Sequence, residues 1–170
     1  MSRVAPRVTV LSALLALVAA QAAEAGTLKL NWVEKTSTDY GYPPMTFSVK
    51  SITIEGKRWT MRASVANRSS HVVSVTRGKP AEGDLRFGLV LPLSGNACSV
   101  TGTCFPKLLG SRQSRPTFPP SLKPGQVWTG TFSGVGSVPR GKAISVAFGY
   151  FVDTSSKKEF SWITQHSFKL

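Results

Sequence analysis

The 170-residue sequence predicts an all-β fold: an antiparallel β-sandwich of about seven or eight strands with one long Pro-rich, disulfide-clipped loop. Three observations predict it. Apolar and polar residues alternate at period two through most of the chain after residue 25, the pattern of a half-buried strand. No stretch repeats its apolar residues at helical spacing. Clusters of Gly, Pro, Asn, Asp and Ser separate the alternating runs, as turns between strands require.

The first segment precedes that rhythm. Arg3 and Arg7 lead into an apolar run from Val8 to Ala20, followed by Ala23-Glu24-Ala25. A positive start, a short apolar stretch and a small-x-small cleavage pattern together predict an export signal over residues 1–25, cut before Gly26. The run falls short of the roughly 20 apolar residues of a membrane span. The residue after the cut is not cysteine and Phe168-Lys169-Leu170 is not an apolar tail, so a soluble secreted product, extracellular or periplasmic, is expected, with 26–170 as its single domain.

The strands are then read in order. Leu28, Leu30 and Trp32 alternate with polar partners, and Phe47 to Ile54 forms a second run whose phase slips between Val49 and Ile52, as a β-bulge would make it. The clearest alternation places Trp59, Met61, Ala63 and Val65 on one face and Arg58, Thr60, Arg62 and Ser64 on the other. Further runs are His71 to Thr76, Leu85 to Leu91, Val127 to Phe132, Ile144 to Val152 and Phe160 to Phe168. Between them lie Glu55-Gly56-Lys57, Asn67-Arg68-Ser69-Ser70, Lys79-Pro80, Pro139-Arg140-Gly141 and Asp153-Thr154-Ser155-Ser156, all with turn chemistry.

One segment breaks the pattern. Pro92 to Pro124 holds six prolines, both cysteines and no clear alternation, so a long connection is expected there. Cys98 and Cys104 are the only cysteines, and export would place them where disulfides persist. A bond closing so small a loop contributes roughly 2 kcal/mol in the chain-entropy model, enough to stiffen the loop rather than hold the domain together.

Two stretches resemble known secreted domains. Phe47-Ser-Val-Lys-Ser-Ile-Thr-Ile54, a Gly turn and Met61-Arg-Ala-Ser-Val-Ala-Asn67 resemble the paired strands and Asn-containing turn of immunoglobulin-like and fibronectin-III-like domains. Leu122-Lys-Pro-Gly125-Gln-Val-Trp128-Thr-Gly-Thr-Phe132 resembles the run leading into a later strand of the same group, and Val146 to Tyr150 the strand after it. The resemblance implies an immunoglobulin-like sandwich. The two cysteines are too close in sequence to join opposite sheets as they do in antibody domains.

Chemistry is harder to find than fold. His71 and His166 stand alone without ligand spacing, Glu82 and Asp84 flank Gly83 in a turn-like setting, and no G-x-S-x-G elbow occurs. Gly134-Val-Gly136-Ser-Val-Pro139 begins like a dinucleotide loop but has proline where a third glycine belongs. No catalytic residue, cofactor or metal is therefore expected, and the chain reads as a non-enzymatic binding or structural module. Asn67-Arg68-Ser69 formally matches an N-glycosylation acceptor. Trp59 and Trp128 read as core anchors, while Tyr40 and Tyr42 are the aromatic candidates for exposure.

Charge gives the remaining lead. Without Arg3, Arg7 and Glu24 the 21 basic and 8 acidic residues become 19 and 7, a balance of +12. Leu85 to Val152 contains no Asp or Glu, and four of its cations, Lys107, Arg112, Arg115 and Lys123, fall in the Pro-rich segment. They are the candidate anion-binding residues, and the expected partner is a protein or an anionic polymer or glycan rather than nucleic acid. The rival expectations are a polyanion or glycan binder that uses its basic surface directly, and a small secreted hydrolase or inhibitor working through residues 92–124.

Overall fold

The computed structural model describes residues 26–36, 38–76, 87–91, 107–139 and 141–169. Residues 1–25, where an export signal is expected, Cys98 and Cys104, the Glu82/Asp84 pair, Arg86 and Arg140 lie outside the described residues. Within them the fold is all-β and antiparallel. In chain order the strands are β1 (Gly26–Lys35), β2 (Met45–Glu55), β3 (Arg58–Asn67), β4 (Val73–Thr76), β5 (Gly88–Leu91), β6 (Lys107–Arg115), β7 (Ser121–Leu122), β8 (Val127–Val135), β9 (Ala143–Asp153), β10 (Glu159–Ile163) and β11 (Phe168–Lys169). The helical content of the described residues is one 3-10 turn at Thr38–Tyr40, and no helix is long and apolar enough to cross a membrane.

Sequence explains the first arm of the sheet directly. β2 and β3 form a hairpin in which Glu55 pairs with Arg58 across the Gly56-Lys57 turn. A bulge between Val49 and Ser51 lets Lys50 and Ser51 both leave the core, after which Ile52 returns to it. β1 adds along the outer edge of β2, with its own irregularity between Lys29 and Trp32. β8 adds along the other edge of β3, pairing Arg62 with Thr131 and Trp59 with Gly134.

The second arm is built around β9. One edge of β9 pairs with β5 through Ser145–Ala147 and with β4 through Tyr150–Asp153, and the other edge carries β10 and β11. β4 takes β7 on its far side. β6 joins the arms: its first residues pair with β5, and after an irregularity between Ser111 and Gln113 its last residues pair with β8. The path β1-β2-β3-β8-β6-β5-β9-β4-β7 is open, with β1 and β7 at its ends.

The arms meet through aromatic side chains. Phe47 of β2 lies 4.8 Å from Phe148 and 5.8 Å from Phe151 of β9, ring centroid to ring centroid. Phe87 stacks on Phe132 of β8 at 4.5 Å, and Phe118 fills the space between Phe87 and Trp128. Phe47, Phe132, Phe148 and Phe151 are essentially inaccessible to solvent. Burial of each contributes about 1.5–3 kcal/mol, so these rings are the main apolar contribution holding the arms together.

Two expectations need correction. The segment from Pro92 to Pro124 is not one long connection: Lys107–Arg115 is a nine-residue strand and Ser121–Leu122 a short one. Alternation is weak in β6 because the strand changes neighbours partway, so no single face stays buried along its length. The strand count is also higher than seven or eight, with eleven among the described residues. The last expected strand, Phe160 to Phe168, is in fact two, β10 and β11.

A basic sheet face as the candidate functional site

The first arm turns one face to the core and the other to solvent. In β3, Trp59, Met61, Ala63 and Val65 are buried, so the pleat sends Arg58, Thr60, Arg62 and Ser64 outward. The same alternation exposes Lys29 and Lys35 on β1. Lys50 is exposed at the β2 bulge, and Arg112 and Arg115 are exposed on the part of β6 that pairs with β8. Register then brings distant parts of the sequence into line. Lys29 pairs with Ser51, Ser51 with Arg62, Arg62 with Thr131, and Thr131 with Arg115.

This row lies next to a second, uncharged one, Thr27–Thr53–Thr60–Ser133–Gln113. Hydroxyl pairs tie neighbouring strands at the surface: Thr27 Oγ1 and Thr53 Oγ1 are 2.9 Å apart, and Ser48 Oγ and Ser64 Oγ are 2.6 Å apart. Among the described residues, the one carboxylate that the register places on this face is Glu55, at its end opposite Arg58.

The other arm differs sharply in charge. β4, β5, β7, β9 and β10 contain no Lys or Arg at all, and β11 contributes Lys169. The second arm carries its other described cations in turns, at Lys123, Lys142, Lys157 and Lys158, whereas most of those of the first arm lie along its strands and line one outer face, a region of positive potential.

The residues named from sequence divide between places. Arg112 and Arg115 belong to the basic face. Lys107 opens β6 where it pairs with β5, and Lys123 sits in the turn before β8, its N–H donating to Gln126 Oε1 at 2.9 Å. Sequence alone does not bring Lys29, Lys35, Lys50, Arg58 and Arg62 into the candidate anion-binding set. Their signal was present in the alternation of β3, where Arg58 and Arg62 fall on one face. What sequence did not show was which strands lie beside β3.

The remaining candidates divide between the core and the surface. Trp59, Trp128 and Trp162 are buried, and Trp32 packs on Phe148 and Phe168 at about 6 Å. Tyr42 packs on Phe160, whereas Tyr40 is exposed; Lys158 donates from Nζ to the Tyr40 carbonyl and stands 5.0 Å from the Tyr42 ring. His71 is exposed, its Nδ1 3.4 Å from Ser70 Oγ. No group of three His, Cys, Asp or Glu is placed to hold a metal among the described residues.

Asn67 is wholly buried and fully engaged. Its Nδ2 donates to the carbonyls of His71 (2.7 Å) and Leu122 (2.9 Å), and its Oδ1 accepts from Ser69 N (2.9 Å) and Ser69 Oγ (2.7 Å). An amide so enclosed is closed to glycosylation in the folded chain, and Asn67 serves to fasten the end of β3 to β7.

Asp153 plays a similar part in its turn. Burial pushes its carboxyl pKa up. That effect is outweighed by hydrogen bonds from Ser155 N and Ser156 Oγ, with the charge of His71 adding to them, and the group is held below its ordinary value. Glu34 shifts the other way. Burial raises it, with Gln165 N, the charge of His166 and the Trp162 indole only partly opposing. The Trp162 Nε1 itself is buried outside hydrogen-bonding geometry, so its effect on Glu34 is that of a nearby dipole. Glu34 lies on the inward positions of β1 and does not face the basic surface.

No family model matches this sequence, and comparison with curated proteins and with solved structures finds no significant match. The site is therefore argued from its own chemistry.

Proposed function

We propose that this chain is a secreted, non-enzymatic β-sandwich of immunoglobulin-like type that binds an anionic polymer or glycan through the outer face of β1, β2, β3, β8 and the end of β6. The observation that carries the binding reading is the alignment of cations along the strands of one arm, in contrast to the strands of the other. Exposed Lys and Arg collect on one face, where Glu55 is the lone carboxylate among the described residues, while the strands of the other arm are nearly free of cations. The sandwich reading is supported by the aromatic contacts that join the arms and by β6, which passes from one to the other as corner strands of sandwiches do. Export rests on the signal pattern of residues 1–25, and in that compartment Cys98 and Cys104 would be bonded.

The test is retention on immobilised heparin in a salt gradient. Replacing Lys29, Arg58, Arg62 and Arg115 by Gln should lower the eluting salt substantially and flatten the salt dependence of affinity by about one unit of slope for each cation that engages the polymer. Replacing Lys107, Lys123, Lys142 and Lys169 removes the same charge from elsewhere and should leave elution near that of the parent. Equal loss from both sets would show that net charge alone is read, and the proposal would fail.

A further inference from the structure

We infer that the ligand of this face is a linear acidic polysaccharide lying across the strands, along the row Lys29–Ser51–Arg62–Thr131–Arg115. The inference rests on the polyanion-binding reading above and gives it a ligand class and a direction.

The row has a pattern of its own. Cations occupy the first, third and fifth strands, and hydroxyl side chains occupy the second and fourth. Strands lie about 4.8 Å apart, so the three cations follow one another at roughly 10 Å and the row spans about 19 Å. Lys29, Arg62 and Arg115 are all exposed, and the alternation of buried neighbours turns them to the same side. A polymer that complements this row carries an anionic group, then a neutral hydrogen-bonding unit, then another anionic group. Acidic polysaccharides have that chemistry, with carboxylates or sulfates set apart by sugar rings bearing hydroxyls. A guanidinium donates to such groups in a two-point hydrogen bond, and two of the three cations are arginines. The hydroxyl row from Thr27 to Ser133 runs alongside and offers donors and acceptors to ring hydroxyls that project sideways.

Other polyanions fit less well. Single-stranded nucleic acid is held by aromatic platforms on which bases stack, and the outward positions of β1, β2, β3 and β8 carry Lys, Arg, Ser, Thr, Asn, Val, Ala and Glu but no aromatic ring. An anionic bilayer rewards a cluster of apolar side chains able to enter it. The exposed Val33, Val127 and Val135 are separated across the sheet instead of clustered.

The experiment compares two triple variants of the full exported chain, equal in charge and both on the same face. One removes the row (Lys29→Gln, Arg62→Gln, Arg115→Gln), and the other removes cations off it (Lys35→Gln, Arg58→Gln, Arg112→Gln). Binding of a heparin fragment and of polygalacturonate is measured by calorimetry at about 0.1 M salt, with thermal melting to confirm that both variants fold. The row variant should lose roughly ten- to a hundredfold in affinity, and the off-row variant, whose cations share the face but not the row, at least about fivefold less than that. Equal losses would overturn the row while leaving polyanion binding in place. Tighter binding of a single-stranded oligonucleotide or of phosphatidylserine vesicles than of both polysaccharides would overturn the ligand class. Unchanged binding by both variants would remove the polyanion reading itself.

Discussion

Asn67 offers the sharpest test of how this fold is fastened. Replacing it by Ala deletes four hydrogen bonds, but the consequences differ by partner. Ser69 Oγ lies 3.0 Å from the His71 carbonyl and can turn its hydroxyl there, so that acceptor keeps a donor. The Leu122 carbonyl and the Ser69 N–H lose the side-chain partner that the structure gives them. A buried polar group left unpaired costs about 1–3 kcal/mol, so two of them give roughly 2–6 kcal/mol, with about 4 as the working value. For a domain of this size that lowers the melting temperature by roughly 8–16 °C, at about 2–4 °C per kcal/mol. Asn67→Asp separates hydrogen bonding from space filling. It keeps an acceptor for Ser69 but turns a second acceptor, charged at neutral pH, against the carbonyls of His71 and Leu122. It should therefore be at least as damaging as Asn67→Ala despite its similar size. Thermal unfolding followed by circular dichroism reads both variants. A loss below about 1 kcal/mol for Asn67→Ala, within the range of ordinary surface changes, would refute the reasoning, as would an aspartate variant as stable as the parent.

Two further outcomes follow from single residues. Gly149 is skipped where the β10 partners step from Tyr150 to Phe148 of β9, with φ of +46°, and a Cβ there would meet the Phe87 ring at 2.9 Å; Gly149→Ala should cost roughly 2–4 kcal/mol from strain and overpacking together, and a melting curve like the parent's would show that the stacked Phe87 ring yields easily. Asp153 has a depressed pKa in the folded state, so its contribution is present above the unfolded-state value near pH 4 and is lost as pH falls through the folded-state value. Stability measured from neutral pH downward should decline less steeply in that acid range for Asp153→Asn than for the parent, and parallel curves would refute the assignment.

Most strands were legible because one face of each stays buried from end to end. β3 is the extreme case: its period-two pattern gave both the strand and the two faces, and the break in β2 between Val49 and Ile52 gave the bulge. β6 was illegible for the opposite reason. Its sequence, Lys107-Leu-Leu-Gly-Ser-Arg-Gln-Ser-Arg115, mixes the needs of two different neighbours, and nothing local reveals that β5 gives way to β8 halfway along. The basic face was lost with it. Lys29, Arg62 and Arg115 are far apart in sequence, and only the order of strands brings them into one row. Reading charge along the chain instead drew attention to Lys107 and Lys123, which share a sequence segment with Arg112 and Arg115 but not a surface.

The core and the basic face are joined through that same strand. Where β6 runs beside β8, the sheet has no room for a side chain at Gly134: a Cβ there would lie 2.5 Å from the Trp59 ring and 2.8 Å from the Gly110 carbonyl. The buried Trp59 ring therefore occupies, under the sheet, the space that a larger residue at position 134 would fill, and the bare backbone lets β6 come close enough to pair. The irregularity between Ser111 and Gln113 then sends both Arg112 and Gln113 outward and sets Arg115 opposite Thr131. The position of the outermost cation thus depends on the fit between one tryptophan and one glycine on the far side of the sheet. On the proposed binding reading, a row of charges held in place by the packed core beneath it loses less entropy when a ligand settles on it than a row on a loose loop would. The same dependence explains how a face made of common residues, Lys, Arg, Ser and Thr, can be specific in arrangement: its spacing comes from the backbone, and the backbone is fixed by what lies inside.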